Sequence, residues 1–263
     1  MKEADAKETG MIYFRHRFIY EERTDKGSGR QCNQDKIILH PELGLFGVSD
    51  GMGEPVFGEE AADLVIKSMP KAVDQFLREY DPIISPALAE ELLSAAIERV
   101  SKGIFKRRNY DRKTPYGATL SCVLLTGDHA VFGNIGDSRG YIVRGRESKE
   151  ITKITNDHLR TADPAKRKDE CGKGTEGYCP CKRLSKFMGN GPEERPDMFI
   201  EKIERGDMIL LCTNGLHNVL PDAEIVKIIT ENGPSEAVRI LKDAATDAGG
   251  TDNISSILIE IIS

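Results

Sequence analysis

The chain has no basic excess. Its 263 residues carry 37 Lys and Arg against 43 Asp and Glu, a formal net charge of −6. A nucleic-acid-binding module normally shows the opposite balance, so no nucleic-acid partner is expected. No apolar run is long enough to span a membrane. The opening stretch MKEADAKETG is polar and lacks the apolar core of a signal peptide. These absences point to a soluble, cytoplasmic protein. The paired CxxC motifs of a zinc ribbon are missing too. Cys171, Cys179 and Cys181 crowd a Gly- and Lys-rich stretch, CGKGTEGYCPCK, with no histidine close by, and Cys32 is far away in sequence. They read as free loop thiols, with a structural metal or redox site as the alternative. Cys122 and Cys212 lie in apolar strand patterns and read as reduced core residues.

Apolar residues make up 39% of the chain, enough for a sizeable core. Residues 1–10 read as a loose tail, and 11–263 as one domain with a variable flap at about 156–190. IYFRHRFIY is a strand candidate, followed by a polar turn. KIILH and LGLFGVSD form two apolar segments joined at Pro41-Glu42, a hairpin signal. From Phe57 the period becomes helical, with Ala62, Val65, Ile66, Met69, Val73, Phe76 and Leu77 on one face. Ser85-Pro86 opens a second helix, Pro standing at its first position. ATLSCVLLTG, HAVFGNIG, RGYIVRG and KEITKIT then follow with short Gly-rich links, which argues for antiparallel pairing. DMFIEKI and DMILLCTN resume the sheet, AEIVKIIT and SEAVRILKDAATDA are two short helices, and NISSILIEIIS is a last strand. Helices in separate blocks imply an α+β fold, not a doubly wound sheet.

Four acidic or amide positions share one context. Asp50, Asp137, Asn214 and Asp252 each end or precede an apolar strand, beside a glycine or a turn. Strand ends on a rigid sheet hold catalytic groups well. Carboxylates converging there would repel one another unless a cation held them, and oxygen ligands suit Mg²⁺ or Mn²⁺. Taken singly, each is better explained by turn chemistry, since Asp-Gly and Asn-Gly are favoured turn dipeptides; the case rests on the set and its order.

The order of these positions resembles the metal-dependent protein phosphatases, the PPM or type-2C family, and its bacterial branch in particular. RQCNQD at 30–35 is similar to the family's opening motif, an arginine before an acidic pair. FGVSDGMGEPVFGEEAA resembles its DGMGG or DGHGG motif, and YGATLSCVLL with FGNIGDSRGYIVRG its G-[ST]-T strand and GDSR motif. ITNDH, GDMILLCTNGLHNVL and TDNISSILIEI resemble the T-x-DH, LxSDGLxDxL and DN[IM][ST] segments. The resemblance runs from about Gly29 to Ile261. It implies an αββα four-layer sandwich of two antiparallel sheets flanked by helices. It implies two core Mn²⁺ or Mg²⁺ ions and a weaker third. Asp50 would bridge the core ions, the Gly51 carbonyl would ligate one and Asp252 the other, and Asp137 would hold the third. Asp35 matches the acidic support beside Asp50 in the catalytic group, and Arg30 matches the arginine that holds the substrate phosphate. The implied reaction is direct attack of metal-activated water on phosphoserine or phosphothreonine. The implied partners are phosphorylated protein substrates of a Ser/Thr kinase, met by a monomer.

The departures concentrate on charge. Asn214 stands where the family has a metal-ligating aspartate, so the site loses one negative charge. Gln34 replaces the first acid of the opening pair, Met52 stands where some members have histidine, and Glu54 replaces a glycine. Asn214 and Gln34 motivate one alternative, a pseudophosphatase that binds phosphoproteins without turnover. A second rival is weaker. Gly47-Val-Ser49-Asp-Gly51 fits G-x-S-x-G, but a Pro-containing loop follows where a nucleophile elbow needs a helix. The only late histidine for a triad is His217.

Overall fold

The structure, a computed structural model, describes residues 2–4, 14, 16–79, 85–111, 116–161 and 182–263. The chain opens with β1 (Lys2–Ala4), β2 (Phe18–Asp25), β3 (Asp35–His40) and β4 (Leu45–Met52). Two long helices follow, α1 (Pro55–Leu77) and α2 (Pro86–Asp111). Then come β5 (Gly117–Ala118), β6 (Leu120–Thr126), β7 (His129–Ile135), β8 (Arg139–Val143) and β9 (Thr152–Lys153). β10 (Leu159–Thr161) and β11 (Lys182–Leu184) form a two-stranded ribbon at the base of the expected flap. β12 (Asp197–Lys202), β13 (Met208–Cys212), α3 (Asn214–His217), α4 (Asp222–Glu231), α5 (Pro234–Asp247) and β14 (Ile254–Ile261) complete the fold.

One sheet runs β1-β2-β14-β13-β8-β9 and the other β12-β7-β6-β4-β3, with β5 paired to β4. Every paired strand within these sheets is antiparallel. Three apolar clusters define the layers. Leu45, Leu120, Cys122 and Leu124 point toward α1 and α2. Met208, Leu210, Cys212 and Leu258 point toward α4 and α5. Phe46, Val48, Val123, Ile209, Leu211, Ile257 and Ile259 meet between the sheets. Alternate residues of one strand therefore enter different cores, and this is why MILLC and ISSILIEI are buried throughout. Phe18 of β2 and Phe46 of β4 join the sheets edge to face at 5.6 Å. The result is the expected αββα sandwich.

Three boundaries differ from expectation. Lys2–Ala4, read as part of a loose tail, pairs with Phe18–Tyr20. β2 continues through Glu21–Asp25, read as a turn, because all eight of its residues pair with the fully buried β14. Of KEITKIT only Thr152–Lys153 is strand, at the exposed edge of its sheet. Cys122 and Cys212 are buried free thiols, as expected, and burial pushes both upward, Cys122 to about 12. Cys171, Cys179 and Cys181 lie outside the described residues.

Candidate metal centre

The expected site residues converge at one end of the seam between the sheets. Asp35 and Asp50 are directly opposed across β3 and β4. The Asp50 N–H donates to Thr119 Oγ1 at 2.9 Å, and the Asp50 carbonyl accepts from the Thr119 N–H at 2.8 Å. Thr119 Oγ1 lies 2.7 Å from Ser138 Oγ, which ties this strand end to the turn carrying Asp137. That turn needs Gly136. Its φ is +115°, and a Cβ there would lie 2.6 Å from two side-chain carbons of Thr119. Gly51 meets Gly58 of α1 backbone to backbone. A Cβ on Gly58 would lie 1.9 Å from Gln34 Nε2, and one on Gly51 only 2.0 Å from the Gly58 carbonyl oxygen. The glycines of FGVSDGMGEPVFG therefore press the start of α1 against the strand end that bears Asp50.

Asn214 sits between the acids. Its Nδ2 donates to Asp50 Oδ2 at 3.2 Å and to Asp137 Oδ2 at 3.4 Å. The neighbouring Thr213 Oγ1 donates to Asp35 Oδ2 at 2.8 Å and accepts from the Ser255 N–H. Arg30 grips Asp252 with two contacts, Nε to Oδ1 at 2.7 Å and Nη2 to Oδ2 at 2.8 Å. Two carboxylate oxygens, Asp35 Oδ1 and Asp137 Oδ1, are buried with no hydrogen-bond partner among the described residues. Such orphaned acceptors in a native fold call for a ligand.

The electrostatics agree. Burial pushes Asp35 up to about 7, against the hydrogen bonds from Thr213 and Ser255, and the Asp252 charge adds to the rise. Burial, and then the charges of Asp35, Asp137 and Asp252, hold Asp50 well above the usual carboxylate range. Asp137 is raised by burial as well. These acids resist ionising together without a cation among them. The donors are all oxygens, which suits hard divalent ions such as Mg²⁺ and Mn²⁺. Among the described residues no three His, Cys, Asp or Glu side chains meet as a ready-made cage. The arrangement explains this: an amide, Asn214, stands between Asp50 and Asp137, and Asp252 is turned toward Arg30.

Several supporting residues carried no role in the sequence. Asn253 is buried and holds the Arg30 loop: its Oδ1 accepts from the Gln34 N–H, and its Nδ2 donates to the Lys26 and Cys32 carbonyls. His217 bonds through Nε2 to the Asp137 carbonyl at 2.9 Å, and burial pushes it down to about 3, so the ring is neutral and donates there. Arg139 and Asp157, from the GDSR and T-x-DH motifs, form a bidentate pair at 2.9 and 2.6 Å. His158 Nδ1 accepts from the Gly136 N–H, and its Nε2 lies 3.2 Å from Asp197 Oδ2. The nucleophile-elbow rival fails on geometry, since Ser49 is fully buried within β4 and donates to the Thr119 carbonyl at 2.7 Å.

The sequence matches the protein phosphatase 2C family over residues 26–232. The chain belongs to that family. It is thereby a metal-dependent protein serine/threonine phosphatase by class. It is 26% identical over 248 residues to the serine/threonine phosphatase stp of Listeria innocua, covering 91% of this chain and 94% of that one. The solved catalytic domain of the phosphatase PstP, in complex with two manganese ions, superposes with a TM-score of 0.71 at 27% identity, covering 94% of this chain and 99% of that one. The phosphatase MsPP of Mycobacterium smegmatis, solved with cacodylate, gives 0.72 at 27% identity over 92% and 98% of the two chains.

Proposed function

We propose that this chain hydrolyses phosphoserine and phosphothreonine in proteins, with Asp50, the Gly51 carbonyl, Asp137, Asp252 and the Asn214 amide oxygen as its metal ligands. The observation that carries the reading is the convergence of these groups, with buried, unpartnered oxygens on Asp35 and Asp137, at one end of the sandwich. Two divalent ions held there, and a weaker third at Asp137, would supply Lewis acidity toward a bound water and the phosphoryl oxygens. Asp50 contributes its charge to the shared centre, and Asp35, held by Thr213, supports it from the opposing strand. Arg30 presents a planar fork suited to a phosphate dianion, and in the metal-free chain Asp252 holds that fork at the site. Asn214 carries a donor and an acceptor on one planar group, so it can bond Asp50 and Asp137 or offer an oxygen. The cost of the amide is one negative charge, and a metal centre that fills at higher ion concentration. We place the protein in the cytoplasm as a monomer, one domain that includes the paired strand Lys2–Ala4, opposite a Ser/Thr kinase.

A second reading has its own support. Asn214 and Gln34 are both neutral, and the Asn214 and Arg30 contacts already satisfy Asp50, Asp137 and Asp252 in part. On that reading the chain binds phosphoproteins without turnover. Hydrolysis of a phosphothreonine peptide across a Mn²⁺ titration decides between them, with the chain and Asn214→Asp compared and a chelator control. Chelator-sensitive turnover that rises in the variant supports the phosphatase. No turnover by either protein at any Mn²⁺ concentration refutes it and leaves the binding module.

A further inference from the structure

α1 and α2 cover the outer face of one sheet, and between them runs a surface groove of about 490 Å³. Its α1 wall includes Leu64, Ser68, Lys71 and Gln75, spaced by three and four residues along one stripe. The α2 wall repeats that spacing with Val100, Gly103 and Arg107. The floor is apolar, with Ala72, Val100 and Ile104 buried. The rim is cationic, with Lys71, Arg99 and Arg107 exposed, and among the described residues no carboxylate lines it. Arg99 Nη1 crosses to a neutral partner, Gln75 Oε1, at 2.9 Å. Arg107 is offset by Glu60 at the end nearer the metal centre. Among the described residues Lys71 forms no ion pair. In a chain of net charge −6, a one-sign rim of this kind is not the default surface.

Gly103 points the same way independently. It lies in the interior of a 26-residue helix, is exposed, and a Cβ there would meet nothing within 4 Å. No contact within the described chain requires glycine, yet glycine is the poorest helix former after proline. What a bare backbone does offer is close approach to an incoming chain.

We propose that the α1–α2 groove docks an acidic segment of a phosphoprotein substrate, seating an apolar side chain on the floor and carboxylates against Lys71 and Arg99. The word substrate rests on the phosphatase reading; the docking does not. Lys71 lies thirteen positions beyond Gly58, about 20 Å along α1 at the helical rise, so the segment binds away from the phosphorylated residue. The groove then selects substrates by a sequence remote from the one hydrolysed.

Docking is measured by fluorescence anisotropy of a labelled peptide of Glu-Glu-Leu repeats, in chelator, where no turnover occurs. The wild-type chain binds it and not the matching Lys-Lys-Leu peptide. Lys71→Glu/Arg99→Glu weakens binding at least tenfold, and Gly103→Gln, which fills the groove while favouring the helix, weakens it as well. Lys102→Glu/Lys106→Glu, an equal charge reversal at exposed α2 positions outside the lining, leaves binding within twofold. Absence of binding to the wild type overturns the proposal, and so does equal weakening by both double reversals, which means diffuse attraction. In a second arm the acidic peptide is joined to a phosphothreonine peptide by about 15 flexible residues, a mean span near 20 Å. The joined peptide shows a lower KM at unchanged kcat than the short one, and the groove variants abolish the difference. Persistence of that difference in the variants refutes the groove. Binding with no turnover of any peptide supports the docking and sinks the phosphatase reading instead.

Discussion

Asn214→Asp should weaken the metal-free protein and strengthen its hold on metal. The wild-type amide donates to Asp50 Oδ2 at 3.2 Å and to Asp137 Oδ2 at 3.4 Å. A carboxylate in its place removes both hydrogen bonds, each long and worth about 1 kcal/mol. It also sets a new negative charge at those separations. With an effective dielectric of about 20, a fully ionised pair there repels by about 5 kcal/mol. Proton uptake caps that cost, because holding one carboxyl neutral at pH 7 takes about 3 pKa units, or about 4 kcal/mol. Water reaching the half-buried site reduces it further. The net destabilisation without metal is then about 2–4 kcal/mol, a fall of roughly 5–10 °C in Tm for a chain of this size. Metal reverses the sign, since the added charge becomes an anionic ligand. A ligand at one hundred times its Kd contributes about 2.7 kcal/mol, so saturating Mn²⁺ should offset the deficit. Thermal unfolding in chelator and across a Mn²⁺ titration is the assay. The variant should melt below the wild type in chelator and gain more per unit of Mn²⁺, so the two curves converge or cross. A variant that melts at or above the wild type in chelator refutes the argument.

Three further outcomes follow from the same geometry. In chelator the folded chain binds protons that the unfolded chain releases near pH 4, because Asp35 is pushed up to about 7 and Asp50 is also raised. Stability should therefore fall as pH rises from about 5 to 8, and saturating Mn²⁺ should flatten or invert the slope; unfolding curves at fixed ionic strength read this. Arg30→Ala removes a charged hydrogen-bond donor worth roughly 1.5–3 kcal/mol, so KM for a phosphopeptide should rise about 10- to 100-fold. The same change frees Asp252, so Mn²⁺ binding measured by calorimetry should tighten, whereas a merely structural role for Arg30 would leave or weaken it. Gly58→Ala places a Cβ 1.9 Å from Gln34 Nε2 and 2.8 Å from the Gly51 carbonyl oxygen. It should cost about 1–3 kcal/mol in denaturant melts and, with the Gly51 carbonyl as a ligand as proposed, weaken Mn²⁺ binding by displacing it.

Much of the molecule was legible along the chain because short-range physics governs it. Unbroken apolar runs such as MILLC marked strands, which the fold buries on both faces, and the helical period from Phe57 marked the face of α1 that meets the sheet. Segregated helix blocks implied an α+β fold, and the family resemblance implied two layers of each kind. The site was legible as a set of strand-end acids in a family order, and the fold does bring Asp35, Asp50, Asp137 and Asn214 together with the Arg30–Asp252 pair alongside. Where pairing partners decide, local patterns misled. Glu21 to Asp25 look like a turn, yet they are held extended by β14, more than two hundred residues later.

By itself the sequence determined the element types, the block order of helices and strands and the chemical kind of the site, since these depend on side-chain periodicity and on which residue types end each strand. Tertiary structure alone decided how the site is held together. Asn214 reaches Asp50 across 164 positions and Asp137 across 77, and Arg30 closes on Asp252 across 222. The unpartnered oxygens of Asp35 and Asp137 and the bare groove between α1 and α2 are of the same kind. A hydrogen bond, a repulsion or an open surface depends on distances of a few ångströms in space, and separation along the chain carries no information about those distances until the sheets have packed.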